Sequence, residues 1–197
     1  MNWLDQQIGA TADIMLGRGT APGRGMARLD TSHAAFRTSF MAILLMVLID
    51  ATAHSLGYTA RGDLDLNGDM GRVSYVVRSS LATLAAYAAM LFALVLVCRN
   101  PPYDARFNAV VIANNWANAI VSALFLPLAF GYALIGGDNG FWLLVVASTL
   151  AIVAVAATRI LRDTLEISLG AAMGLFAATF LLSIFVSNGV EGVLGVG

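Results

Sequence analysis

Five apolar stretches, at about 38–57, 79–98, 108–134, 141–158 and 166–188, constrain this chain more than any other feature of it. Each is close to the ~20 residues with which a helix crosses ~30 Å of hydrocarbon. Lipid offers a backbone no hydrogen bonds, so only helices or a closed β-barrel can cross it. Barrel strands alternate apolar and polar side chains, and these stretches are apolar on every side. The expected fold is therefore all-α, a polytopic transmembrane helix bundle of five spans occupying 29–197. Composition agrees: only 12% of the 197 residues are charged, where a soluble domain carries roughly a quarter. The net charge of −1 leaves no basic field for nucleic acid.

The cations are informative by type and by place. All 11 are arginine, a composition that suggests a GC-rich bacterial genome and hence a bacterial inner membrane. Arg18, Arg24, Arg28, Arg37, Arg99, Arg106, Arg159 and Arg162 fall on one side of the five spans, and Arg61, Arg72 and Arg78 on the other. The arginine-rich side is expected in the cytoplasm, with the N-terminus there and the C-terminus in the periplasm. The single cysteine, Cys98, excludes an intrachain disulfide and a paired-cysteine metal site. The first 36 residues contain no apolar core of a signal peptide, so none is expected to be cleaved.

Residues 1–28 form a unit of their own. Trp3, Leu4, Ile8, Met15 and Leu16 fall near one helical face, with Asp5, Gln6 and Asp13 elsewhere. That pattern predicts an N-terminal interfacial amphipathic helix, with Trp3 at the level of the headgroups. Gly17 to Gly25 then predicts a turn in which Arg18 and Arg24 meet anionic lipid. Asp30, Thr31 or Ser32 can cap the helix that enters the first span.

Two short elements carry a resemblance. Leu29-Asp30-Thr31-Ser32 with Phe36-Arg37-Thr38-Ser39-Phe40-Met41-Ala42, and Asn115-Trp116-Ala117 in the third span, resemble elements of a group of small alphaproteobacterial membrane proteins. Those proteins have a similar length and span count, often carry a transporter label, and distantly resemble Yip-type trafficking proteins. The resemblance covers about half the chain in layout. It implies an inner-membrane protein of five helices and supplies no catalytic residues.

Polar residues inside the spans are the first candidates for function, because they are costly there and face a bundle interior or a watery cavity. Asp50 and His54 are four apart and share a helix face. The third span holds Asn114, Asn115 and Asn118, with Ser122 a turn further on and Pro127 beyond it. The first and third spans run in the same direction. Counting from Phe40 and Phe107 places Asn118 level with Asp50 and Ser122 level with His54, an intramembrane polar layer between two helices. The layer serves either as a proton or ion pathway or as an interhelical clamp.

Other candidates lie outside that layer. Asp63, Asp65, Asn67, Gly68 and Asp69 match the first half of a calcium loop, but Ser74 stands where the bidentate glutamate belongs. An acidic surface turn is the alternative, and calcium is the one cofactor raised. Gly170, Gly174 and Ala178 form a small-residue face on the fifth span, suited to internal packing or to self-association. Arg159 with Asp163, and Arg162 with Glu166, are spaced for helical ion pairs, and the two arginines also suit a lipid headgroup.

No nucleophile with a positioned base, phosphate loop or zinc-binding helix motif occurs, which predicts a protein that is not an enzyme. The expected function is that of an accessory or scaffold protein binding other membrane proteins or lipids. The alternative is a small-solute or ion transporter or channel, acting as an oligomer through Asp50 and Asn118. An odd number of spans cannot form two equal inverted halves, which weighs against a transporter built from one chain.

Overall fold

The computed structural model describes residues 2–18, 26–60, 71–135 and 140–195. Among them are six helices and no strand: α1 (Trp3–Leu16), α2 (His33–Ala60), α3 (Arg72–Val97), α4 (Phe107–Ile135), α5 (Gly140–Leu165) and α6 (Leu169–Leu194). The last five are each long and apolar enough to cross a bilayer. The chain is thus a helical bundle and an integral, multi-pass membrane protein.

The helices outrun the apolar stretches that predict them. α2 begins at His33, and α3 begins at Arg72, well before Ser79. Backbone hydrogen bonding continues into the interface, where hydropathy has already fallen. Capping residues set the ends. Ser32 Oγ accepts from the Ala35 N–H at 3.2 Å and starts α2. Ser168 Oγ accepts from the Ala171 N–H at 3.2 Å, so the fifth span starts at Leu169 and not at 166. Glu166 closes α5 in the left-handed region, φ 53°, with the Ile167 N–H returning to the Arg162 carbonyl, a Schellman-type end.

The spans form a closed ring. α2 packs on α3, α3 on α6, α6 on α5, α5 on α4, and α4 back on α2. The most extensive seam joins the parallel helices α2 and α4. Ala35, Ser39, Ala42 and Met46 are buried along one face of α2, and small residues there let two backbones approach closely. The buried core lies toward the end where α2, α4 and α6 begin. There Leu94 and Cys98 meet Val110, Val111, Leu161, Leu165 and Ala172. Phe36 and Phe107 stack obliquely at 5.8 Å across the same end.

α1 packs outside the ring, in the notch between α4 and α5. Its inward face is the expected apolar one only in part: Trp3 and Ile8 pack against the core. Gln7, Ala10, Thr11, Ile14 and Met15 are buried, while Leu4 and Leu16 are exposed. Trp3 stands edge-on to Trp116 at 6.3 Å, nine residues into α4, so its ring is spent on a protein contact. The arm behind it folds back: Trp3 Nε1 donates to Asp30 Oδ2 at 3.4 Å, Gln6 Nε2 donates to the Arg28 carbonyl at 3.1 Å, and Arg28 pairs with Asp13. Residues 2–18 and 26–28 are therefore not a free arm; tertiary contacts decide which face of α1 turns inward.

Two tests follow from α1. Neither amide atom of the buried Gln7 has a hydrogen-bond partner, and an unmet buried polar group costs about 1–3 kcal/mol. Gln7→Leu, similar in volume, is expected to raise the unfolding free energy by about that amount, measured by reversible denaturation in mixed micelles; a lower value would refute the docked position. The second concerns acid. The Ser32 backbone N–H chiefly, then its hydroxyl, hold the Asp30 carboxyl below its usual range, with burial opposing and the Trp3 indole adding least. A depressed carboxylate stabilises the folded state above its ordinary value of 3.8, and that contribution is lost as pH falls through the lower folded value. Trp3 emission, taken as the difference between wild type and Trp3→Phe, should shift in that acid window and should not do so in Asp30→Asn.

Candidate functional site

The polar centre of the bundle is built around Asn115. Its side chain is fully buried, and a lipid-embedded amide has no water to turn to. Asn115 Nδ2 donates to Ser39 Oγ of α2 at 2.9 Å. Tyr87 of α3, also buried, donates its hydroxyl to Asn115 Oδ1. Ser39 in turn donates its hydroxyl to the Phe36 carbonyl at 2.7 Å. One side chain therefore links α2, α3 and α4, with both ends of its amide engaged.

The layer expected around Asp50 is partly assembled. Asp50 is half-buried, bonds the Ser122 side chain and lies within electrostatic reach of His54. His54 stands edge-on to Tyr75 of α3, centroids 6.3 Å apart. Asn118 is not part of this group: its Nδ2 turns to the Asn114 carbonyl of its own helix at 2.9 Å. Asp50 thus pairs a turn further along α4 than the count from the span entries predicts. Phe36, and not Phe40 a turn later, lies beside Phe107, so the seam is offset from that count by about one turn, ~5.4 Å. Asn114 Nδ2 is buried without a partner.

The remaining candidates fall apart from this centre. Gly170, Gly174 and Ala178 are exposed on α6, and a Cβ added at either glycine would meet nothing within 4 Å. The internal-packing role of that face is therefore corrected: it turns outward, and α6 buries Ala172 and Thr179 instead. The expected ion pairs are also re-partnered. Arg162 Nε bonds Asp163 Oδ1 at 2.8 Å, and Glu166 pairs with Arg106. Arg106 holds the Glu166 carboxyl below its usual range, first by the hydrogen bond. Arg159 instead donates to the Met15 carbonyl, at the end of α1, at 3.0 Å. Tertiary proximity brings Arg106 and α1 closer than the helical spacing brings the expected partners. The calcium-loop residues Asp63, Asp65, Asn67 and Asp69, and Arg24 of the arm, lie outside the described residues. Among the described residues no cluster of histidine, cysteine or acidic side chains suits a metal.

Ser39 and Tyr87 are the site residues that sequence reasoning passes over. Tyr87 carried a usable signal, since a tyrosine deep in a span needs a partner for its hydroxyl. Ser39 carried less, because serine bonds its own helix readily.

Comparison of the chain with protein-family models, curated proteins and solved structures finds no match to any of them.

Interhelical hydrogen bonds in membranes contribute ~0.6 kcal/mol on average and up to ~1.7. Tyr87→Phe is expected to cost about that range, as is Asn115→Ala apart from its lost packing. The double variant should cost clearly less than the sum, because both changes break the same link. A strictly additive cycle in reversible detergent unfolding would show that the link does not form.

Proposed function

We propose that this chain is a non-catalytic accessory protein of a bacterial inner membrane, which binds other membrane proteins through its outward-facing helices. The observation that carries the proposal is the closure of the central amide. A pathway through the bundle needs polar groups free to meet a solute, and Asn115 spends its amide on Tyr87 and Ser39. The outer surface supports the same reading. Only 11% of the span windows of α5 and of α6 is buried within the chain, and the small-residue face of α6 is open to a neighbour. Such faces permit close helix approach between proteins. The arginine distribution supports an N-terminus in the cytoplasm and a C-terminus in the periplasm.

One observation favours the second reading, a transporter or channel acting as an oligomer. Asp50, Ser122 and His54 are grouped inside the membrane, and ionisable groups there often serve transport. The two readings separate in one experiment. The tagged chain is recovered in mild detergent, with its partners identified and its native mass measured. Stoichiometric recovery of a second membrane protein, lost in Gly174→Leu and kept in Asp50→Asn, is the expected result. A homo-oligomer without a partner, together with a flux in vesicles that Asp50→Asn abolishes, would overturn the proposal in favour of transport.

A further inference from the structure

The docking of α1 creates a groove that the spans alone would not have. It lies between α1, α4 and α5, has a volume of about 530 Å³, and is walled by apolar side chains including Ala12, Leu16, Leu124, Ala151 and Ile152. That volume lies in the range of sites that hold small molecules, ~300–1,000 Å³. Leu16, Leu124 and Ile152 are exposed, so the groove opens sideways onto the surface that lipid covers. A chain can enter it from the bilayer without crossing water.

One lining residue is charged, and it is Arg159. A guanidinium carries five donors. Arg159 gives one of its nitrogens to the Met15 carbonyl at 3.0 Å and makes no ion pair with an acidic side chain among the described residues. Its head is nonetheless seated. Gly17, at φ 64°, lies so close that an added Cβ would stand 3.1 Å from the guanidinium carbon. The carboxyl end of α1, which carries partial negative charge, holds the cation from that side. Arg18, which is exposed, follows Gly17 directly in the chain. Arg159 lies six residues before the end of α5 at Leu165, ~9 Å along the helix. An arginine at that depth reaches the headgroup level by extending its stem.

An apolar trough open to lipid, ending in a seated cation with free donors, matches one chemistry. We propose that the groove binds one acyl chain of an anionic phospholipid, whose phosphate is held by Arg159. The phosphate accepts the parallel N–H pair of the guanidinium, while the chain fills the space between α1, α4 and α5. The site ties α1 to a lipid as well as to the bundle, and it stands independently of the partner-binding reading.

The test uses the full chain in nonionic detergent, with phosphatidylglycerol or phosphatidylcholine added and native mass spectrometry as the readout. One phosphatidylglycerol per chain should be retained, and phosphatidylcholine should not. Arg159→Gln should lower that retention by about tenfold, Arg159→Lys should keep most of it, and Arg162→Gln should leave it unchanged. Ala151→Trp should displace the chain by filling the groove while the thermal midpoint stays near that of the wild type. Should Arg159→Gln fail to fold, Ala151→Trp decides alone. Equal retention of the two lipids, or equal losses in Arg159→Gln and Arg162→Gln, would overturn the proposal by showing bulk or diffuse binding. Displacement of the lipid by inorganic phosphate would overturn it too, since the cation would then hold a free anion and the groove no chain.

Discussion

Inside a bilayer an amide side chain must find its partners within the protein, and Asn115 finds them on two other helices. Ser39 and Tyr87 meet it from α2 and α3, so three of the spans are held in one register by one residue. Elsewhere along the same seam Phe36 meets Phe107 and Asp50 meets Ser122. Ala35 and Ala42 lie in the same buried cluster as Ala113 and Trp116. Apolar packing alone discriminates weakly between registers in lipid, because lipid tails are as apolar as the side chains. A polar contact with few alternatives supplies that discrimination.

The arginines follow a related logic at the helix ends. Arg78 of α3 donates to the Leu194 carbonyl at the end of α6, and Arg159 of α5 to the Met15 carbonyl at the end of α1. Both place a cation at the negative pole of a helix, where the last carbonyls have no partner of their own. At the cytoplasm-facing end that the arginine bias predicts, this docks α1 and leaves Arg159 with donors to spare. The same contact therefore connects the packing of the N-terminal helix to the lipid site proposed for the groove beside it. The closed centre and the open outer faces are the two observations that support the proposal of a protein working through its surface.

The class of fold was legible from hydropathy, because a stretch of about 20 apolar residues has few alternatives to a membrane helix. The interior was legible only in part. Asp50, His54 and Ser122 announce themselves, since ionisable and polar groups are rare in lipid, and the structure gathers them. Asn118 announces itself equally and turns back to its own helix, a choice no spacing rule anticipates. The face of α1 was legible only in part, since Trp3, Ile8 and Met15 of the expected stripe do pack on the core. An apolar stripe predicts what meets lipid, but α1 buries Gln7 and Thr11, polar residues that only a neighbouring helix could have placed inside. The outward turn of Gly170 and Gly174 was equally hidden, because a small residue fits an internal contact and an external one alike.

Local hydropathy was enough for the number of spans and their all-helical nature, and local capping for the start of α2 after Ser32, whereas the early start of α3 at Arg72 was not legible from hydropathy. The ring order of the helices, the one-turn offset between α2 and α4, the partners of Asn115 and the docking of α1 were settled by the tertiary structure. Those depend on contacts between residues far apart in the chain, such as Ser39 with Asn115 and Met15 with Arg159. Which of several equally apolar faces meet is settled by the few polar groups that must be satisfied at once.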